Sequence, residues 1–486
     1  MVPIRLYDTS RREKVDFQPL IPEHVSIYVC GLTVYDLPHI GHARTFVVFD
    51  VFRRFLRQIG YDVKFVRNHT DIDDKIIKRS REENTTPTEL ASRMIDELHK
   101  DMASIDVAEA DVEPRVTQHI PDIIAFIQKL FDNGYAYEAG GDVYYRVSAF
   151  KDYGKFSNRN LDEMINGVRK AVNEAKDSAE DFALWKGETD PEKPAWDSPW
   201  GRGRPGWHIE CSCMSTKYLS PSFDIHGGGR DLIFPHHENE IAQAKGAQDG
   251  DFARYWMHVG MVEINGEKMS HSLHNFWTLR DIVKQVHPEA LRYFFLTTHY
   301  RNNINFSHDT INEATQRITS LYRTLSAADK LIAQLANKHP NVVANPEIVK
   351  EHEDAFVEAM ADDLNTPKAL AAMAQTAKLA NEIIDAHGKK TAQQLALLMA
   401  YRQALVNMGS YCGLFTRQPD DALATLRDLA VKRLGLDVDE ITALIAQRTT
   451  ARAEKNWARS DEIRDKLAQM GVQLLDRADG TDWLVS

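Results

Sequence analysis

The sequence predicts an α/β protein of several domains, and three observations carry that reading. The chain has 486 residues, more than a single core sustains, since cores stop growing at roughly 250–300 residues. Its N-terminal part alternates strand-like and helical patterns in the order of a βαβ unit. Beyond residue 312 it turns Ala/Leu-rich with few glycines, the signature of packed helices. Hydrophobic residues make up 43% and charged residues 27%, as in ordinary globular proteins.

Val25 to Cys30 is β-branched or aromatic and reads as a strand. A Gly/Pro loop leads into a helix from about His42 to Ile59, whose apolar positions Val48, Phe52, Phe55, Leu56 and Ile59 follow the helical period until Gly60 ends it. Tyr61 to Val66 is the next strand. Such units bind ligands at the carboxyl ends of their strands, which is where Cys30 and the His39-Ile40-Gly41-His42 turn fall.

Residues from about 112 to 200 read as an insertion: a helical stretch Ile120–Tyr135, a strand-like Asp142–Tyr145, then an ordered loop rich in Pro, Gly and Trp. Trp185, Trp196 and Trp200 suit a core beneath that loop as well as they suit a binding surface. From Asn312 to Ser410 a helical bundle is expected, with a helix entry at Asp362–Pro367 because proline is tolerated in a first helical turn. A last module offers helices near Ile441–Ala453 and Ser460–Met470, the second ended by Gly471.

The formal net charge of −12 argues against non-specific coating of RNA or membranes and leaves room for a local basic groove. No apolar run approaches the ~20 residues of a membrane span. The polar Met1–Arg12 lacks the apolar core of a signal peptide. Four cysteines in so long a chain suit a reducing, cytoplasmic setting and not a disulfide framework.

Several short motifs carry chemistry. Gly41 in His39-Ile40-Gly41-His42 admits a ligand to the backbone where a helix start favours phosphate. The two imidazoles there can donate to phosphate oxygens. Lys268-Met269-Ser270-His271-Ser272 lies far downstream. His226-Gly227-Gly228-Gly229-Arg230-Asp231 allows close approach by a nucleotide, with Asp231 able to accept from ribose hydroxyls, and it lacks the dinucleotide fingerprint. Cys30, Cys211, His236 and Glu240 are candidate metal ligands, the last two on one face if a helix starts at Pro235. Cys213 and His237 are rival ligands one or two residues away. Cys412 reads as a buried apolar residue. Arg448, Arg452, Lys455, Arg459 and Arg464 recur around Trp457, a face for base stacking, although a solvated helix pair fits their composition as well.

In this order the motifs resemble the cysteinyl-tRNA synthetase family of class I aminoacyl-tRNA synthetases, from about Leu6 to Trp483. The resemblance implies a Rossmann-type catalytic domain over residues 1–311 with the insertion and a nucleotide loop at 268–272. It also implies a helical domain at 312–415 and a linker with an anticodon-binding module at 416–486. Implied substrates and partners are ATP with Mg2+, L-cysteine and tRNA(Cys), and the implied state is a cytoplasmic monomer. His39, His42 and Lys268 would be catalytic, and ATP would meet His39, Gly41, His42, Gly228, Gly229, Asp231, Lys268, Ser270 and His271. Thr70 and Trp207 would hold the amino acid; Arg452, Lys455, Trp457 and Arg459 would meet tRNA.

One Zn2+ on Cys30, Cys211, His236 and Glu240 would select a thiol over the near-isosteric serine, which shape alone discriminates weakly. The chain departs from the family where His271 replaces a second lysine and carries only part of its charge at neutral pH. Arg280 is a cation that would compensate, and His271→Lys should lower the Michaelis constant for ATP. Two other readings fit parts of the sequence. One is a paralogue passing cysteine to a non-tRNA amine, against which the long C-terminal region stands. The other is a weakened binder of cysteine or tRNA.

Overall fold

The computed structural model describes residues 2–159, 176–268, 277–477 and 480–485. The chain opens with a small hairpin, β1 (Arg5–Asp8) and β2 (Glu13–Asp16), followed by β3 (His24–Thr33), α1 (Ile40–Gln58) and β4 (Asp62–Thr70). The predicted βαβ unit is thus present, each element somewhat longer than its apolar pattern suggested. α1 starts two residues before His42 because the His39 side chain caps it, accepting from the backbone N–H of Gly41 and His42. Both faces of α1 are buried: Val47, Phe49, Val51, Phe52, Phe55 and Leu56 are all at most 1% exposed.

After α2 (Asp74–Glu82), α3 (Pro87–Ser104) and α4 (Ile120–Asp132) come β5 (Ala136–Ala139), β6 (Asp142–Tyr145), β7 (Phe182–Gly187) and β8 (Gly203–Pro205). These four strands make an antiparallel sheet of their own, in chain order. Trp185 is fully buried in its core, and Trp200 stacks on Phe131 at 5.3 Å between ring centroids.

The chain then returns to the first sheet through α5 (Trp207–Tyr218), β9 (Ser222–Gly229), α6 (Glu238–Ala247) and β10 (Phe252–Val259). The parallel sheet has the order β10-β9-β3-β4. The chain leaves β3 toward β4 on one side and comes back as β9 on the other. A crevice therefore opens between the carboxyl ends of β3 and β9, the switch point where α/β sheets bind ligands.

The start of α6 differs from expectation. It begins at Glu238, not at Pro235: Phe234 is extended (φ −140°, ψ 132°), and residues 233–237 form a wider turn that only then becomes an α-helix. The intended pairing survives, because His236 Nε2 still lies 3.0 Å from Glu240 Oε1.

A short sheet of β11 (Val262–Ile264), β12 (Glu267–Lys268) and β13 (Ile304–Phe306) precedes the helices, with α7 (Leu279–Val283) and α8 (Pro288–Leu296) inserted between its strands. The helical region comprises α9 (His308–Ala336), α10 (Lys350–Ala361), α11 (Thr366–Asp385), α12 (Ala392–Cys412) and α13 (Pro419–Leu434). α11 enters at Asn365 and Pro367 as the proline predicted. α12 stops at Gly413, whose φ of 64° is left-handed. Buried Arg292 ties this region to the α/β part, donating to Asp50 Oδ2 at 2.7 Å and to the Cys412 carbonyl at 2.8 Å. Cys412 is fully buried, and burial pushes its thiol up to about 12, as suits an apolar residue.

The last module pairs α14 (Val438–Ala453) and α15 (Trp457–Gln469) with an antiparallel hairpin, β14 (Val472–Arg477) and β15 (Gly480–Val485). Ile441, Leu444, Ile463, Leu467, Val472 and Trp483 form its own small core.

Candidate active site and metal centre

A cavity of about 370 Å³ occupies the crevice above β3 and β9. Cys30, His39, Gly41, His42, Trp207, Gly229 and Asp231 all line it. Residues scattered over two hundred positions thus converge because three parallel strands end at one level. Gly31, beside Cys30, has to be glycine: a Cβ there would sit 1.5 Å from the Asn68 carbonyl oxygen on β4.

On one wall of the cavity, the rings of His39 and His42 stack at 3.4 Å between centroids. Nδ1 of His39 accepts from Gly41 N–H at 3.1 Å, and Nδ1 of His42 accepts from His39 N–H at 3.3 Å. With Nδ1 used as acceptor in both rings, the proton of each neutral imidazole sits on Nε2, making it a donor. Burial, then the neighbouring His39, hold His42 well below the ordinary histidine range, so it is neutral at pH 7. Gly229 packs on Asp231, with a Cβ position 2.4 Å from Asp231 Oδ1, while Gly228 packs on the His237 ring.

Arg44 is a residue that the sequence motifs did not single out. It is fully buried and clamps the opposite wall through the carbonyls of Gly260 at 2.8 Å, Met261 at 3.0 Å and Asn302 at 2.6 Å.

The segment 268–272 is mostly outside the described residues: Ser270 and His271 lie outside them, and Lys268 is placed by its backbone alone, at the end of β12. The chain re-emerges at Trp277 against the His39 turn, where Ile40 N–H donates to the Trp277 carbonyl at 3.2 Å and Leu279 N–H to the Pro38 carbonyl at 2.9 Å. Arg280 does not supply the expected spare cation. It is bound to Glu97 at 2.5 Å and to Asp101 at 3.1 Å.

At the floor of the cavity the four proposed ligands meet. Among the described residues, Cys30, Cys211, His236 and Glu240 offer one ligand atom each, all within 4.8 Å of one another and all buried. The thiols are 3.7 Å apart, and Cys30 Sγ lies 3.4 Å from Glu240 Oε1. A second set shares Cys30 and Glu240 and takes His226 and His237 instead. Cys213 belongs to neither set, and burial raises its thiol to about 12.

The electrostatics suit a cation. Burial raises Cys30, and the adjacent Cys211 raises it further. Burial opposes ionisation of Cys211 too, but the hydrogen bond from Cys30 and the nearby His236 bring it down to about 6. Burial disfavours a charged His236, yet Glu240 and Cys211 hold it up at about 10. Two thiols, an imidazole and a carboxylate, all buried, are the donor set of a tetrahedral soft or borderline cation.

Around the ligands runs a histidine shell that no spacing rule announced. His208 Nδ1 meets His236 Nδ1 at 2.8 Å, and His226 Nε2 meets Glu240 Oε2 at 2.8 Å. His237 links Cys30, at 3.4 Å, to His258 at 2.8 Å, and His258 ends on Thr9 Oγ1 at 2.8 Å. His226 belongs to the glycine-containing His226–Asp231 motif on β9, which was its available signal, while His258 lies on β10, which contains no glycine. Such outer partners orient metal ligands.

Trp207 is 40% exposed over the cavity and stacks on His236 at 4.3 Å. Thr70 ends β4 one layer below, 2% exposed, and donates to buried Glu210 at 2.6 Å.

Residues 16–316 match the family model described as tRNA synthetases class I (C) catalytic domain. Residues 355–416 match a DALR domain, and 438–483 match a cysteinyl-tRNA ligase anticodon binding domain. The chain is 48% identical over 492 residues to a cysteine–tRNA ligase of Anaeromyxobacter dehalogenans, covering 99% of each chain. The chain belongs to the cysteine–tRNA ligase family. Within that family it is also 46% identical to the ligase of Pelobacter propionicus, again over 99% of each chain.

Solved structures share the fold at low identity. A Mycobacterium tuberculosis methionyl-tRNA synthetase in complex with methionyl-adenylate superposes with a TM-score of 0.60 at 15% identity, over 86% of this chain and 95% of that one. An Agrobacterium radiobacter LeuRS–tRNA–LeuAMS complex gives 0.56 at 12%, over 85% and 86%.

The arginines of the C-terminal helix pair are each engaged by a carboxylate. Arg448 is 7% exposed and grips Asp476 with both nitrogens at 2.7 and 2.8 Å, so it is structural. Arg452 shares that carboxylate at 2.7 Å, Arg459 pairs with Glu462 at 2.8 Å, and Arg464 with Asp461 at 3.1 Å. Trp457 is 59% exposed. No described helix is long and apolar enough to cross a membrane.

Proposed function

We propose that this chain activates L-cysteine with ATP to cysteinyl-adenylate and transfers the cysteinyl group to the 3′ end of tRNA(Cys). The observation that carries the reading is that Cys30, one of four converging ligand residues, opens into the same cavity as His39, His42 and Asp231. A thiol-seeking floor and a phosphate-seeking wall then share one substrate. Residues 1–311 form the catalytic domain with its insertion at about 112–200, 312–415 the helical domain, and 416–486 the linker and anticodon-binding module.

Cys30, Cys211, His236 and Glu240 would hold one Zn2+, which would supply a coordination site favouring a thiolate over a hydroxyl. His208 and His226 fix the orientation of His236 and Glu240. Trp207 and Thr70 position the amino acid, whose carboxylate is directed toward the nucleotide. His39 and His42 donate from Nε2 to phosphate oxygens as charge gathers there. Gly41 and Gly229 allow the nucleotide close to the backbone, whereas Gly228 makes room for Leu232 and His237; Asp231 accepts from ribose hydroxyls, and Mg2+ accompanies ATP. Lys268, Ser270 and His271 meet the leaving pyrophosphate. Arg452, Lys455, Trp457 and Arg459 meet tRNA, and the enzyme acts as a cytoplasmic monomer.

Charging of total tRNA with labelled cysteine, with serine as control, tests the proposal. Selective attachment of cysteine is expected. Absence of charging at saturating ATP, with pyrophosphate exchange retained, would instead favour transfer to a non-tRNA amine.

A further inference from the structure

A second concavity, sharing no lining residue with the catalytic cavity, lies where α9 and α13 of the helical region meet the β14–β15 hairpin of the last module. It measures about 280 Å³, and three arginines line it: Arg323, Arg427 and Arg433. No Asp or Glu is among the described residues lining it, in a chain whose net charge is −12. Its other polar lining is hydroxyl and amide, including Thr319 and Gln473.

The arginines are weakly committed. Arg433 donates to the Asn312 side-chain oxygen. Arg427 lies over the Trp483 ring at 5.2 Å and stands 3.8 Å from the Asp428 carboxylate. Arg323 is exposed and enters no ion pair among the described residues. The helix pair α14–α15 presents the opposite picture, its arginines each held by a carboxylate at 2.7–3.1 Å. A concave patch of one sign focuses the field that draws a polyanion, and planar guanidinium groups match phosphate oxygens.

We infer that this groove is an RNA-backbone site, holding phosphates of the bound tRNA where it passes from the helical domain to the anticodon-binding module. The inference rests on the tRNA reading above and adds to it residues outside the α14–α15 arginine strip. Phosphate contacts fix the register of the nucleic acid and carry no sequence information, so the groove positions the tRNA and does not read its anticodon.

The test is titration of full-length holoenzyme with a fluorescent tRNA(Cys) transcript at several KCl concentrations. Wild type is compared with Arg323→Gln, Arg433→Gln and Arg323→Lys, and cysteine-dependent pyrophosphate exchange is followed in parallel. Each Gln variant should weaken tRNA binding several-fold and reduce the slope of log affinity against log salt by about 0.7–0.9, one counterion-releasing contact. Arg323→Lys should restore most of that slope, and exchange should stay at the wild-type rate.

An unchanged slope in both Gln variants, with wild-type charging intact, would overturn the groove alone. The groove would fail as an RNA site even if 31P NMR showed inorganic phosphate binding to wild type and not to Arg323→Gln, since it would then serve free anions. Failure of wild type to bind or charge tRNA would overturn both the groove and the tRNA reading.

Discussion

The floor of the catalytic cavity and the C-terminal helix pair both stand out by residue type, and they behave oppositely. At the floor, two thiols, an imidazole and a carboxylate from β3, α5, the 233–237 turn and α6 meet within 4.8 Å, buried and enclosed by further histidines. On α14 and α15 the arginines are spread over a surface, each held by a carboxylate. Ligand chemistry demands convergence, so its residues cannot be scattered without losing their purpose. A basic helix face has no such demand, and charges on it are as readily absorbed by neighbouring acids.

The contrast predicts a steep order of effects. Cys211→Ala should abolish bound metal and lower cysteine-dependent pyrophosphate exchange by more than about 100-fold, since even outer partners of metal ligands cost 10–100-fold. Metal analysis with exchange kinetics checks this; a variant that kept both would remove the reason for the convergence. His258→Ala, two hydrogen bonds out along the Cys30–His237–His258–Thr9 chain, should weaken metal retention against a chelator by about 10–100-fold while leaving the fold intact. Metal loss no faster than in wild type would confine the design to the four ligands.

In the C-terminal region, Trp457→Ala should raise the tRNA Michaelis constant through loss of about 1–3 kcal/mol of stacking. Arg452→Gln, whose charge is already shared with Asp476, should change it less than about threefold. The reverse ranking would mean that the ion pair opens for RNA.

The smallest effect concerns acid. Asp476 is held below the usual carboxylate range, first by the hydrogen bonds from Arg448, against some burial. A carboxylate depressed in the folded state contributes stability above its unfolded pKa of about 3.9 and loses it as pH falls through the folded value. The module should therefore loosen below about pH 4, by no more than about 1 kcal/mol for so exposed a group. Hydrogen exchange of α15 amides measures it, and Arg448→Met should flatten the dependence.

Much of this was legible in the sequence for identifiable reasons. The βαβ unit showed because Val48, Phe52, Phe55 and Leu56 repeat at the helical period between two β-branched runs. The candidate ligands Cys30, Cys211, His236 and Glu240 were legible mainly through the family resemblance, since their spacing alone matches no metal motif, and the fold brings one atom of each within 4.8 Å of the others. What stayed hidden depends on contacts distant in sequence. The pairing of β6 with β7 joins Tyr145 to Phe182 across a long stretch, and no local pattern announces it. Extended Phe234 moved the helix start to Glu238. Arg280 looked available only because its acids, Glu97 and Asp101, lie on α3. Histidines 208, 226 and 258 carry no spacing signature, since each meets the site from a different element.

Whether a metal floor selects the thiol is decided by ATP–pyrophosphate exchange with cysteine and with serine, before and after metal removal by chelation and again after zinc is restored. Exchange is expected with cysteine alone, lost with the metal and regained with zinc. Undiminished cysteine-dependent exchange in the metal-free enzyme, with serine still rejected, would contradict selection by the metal.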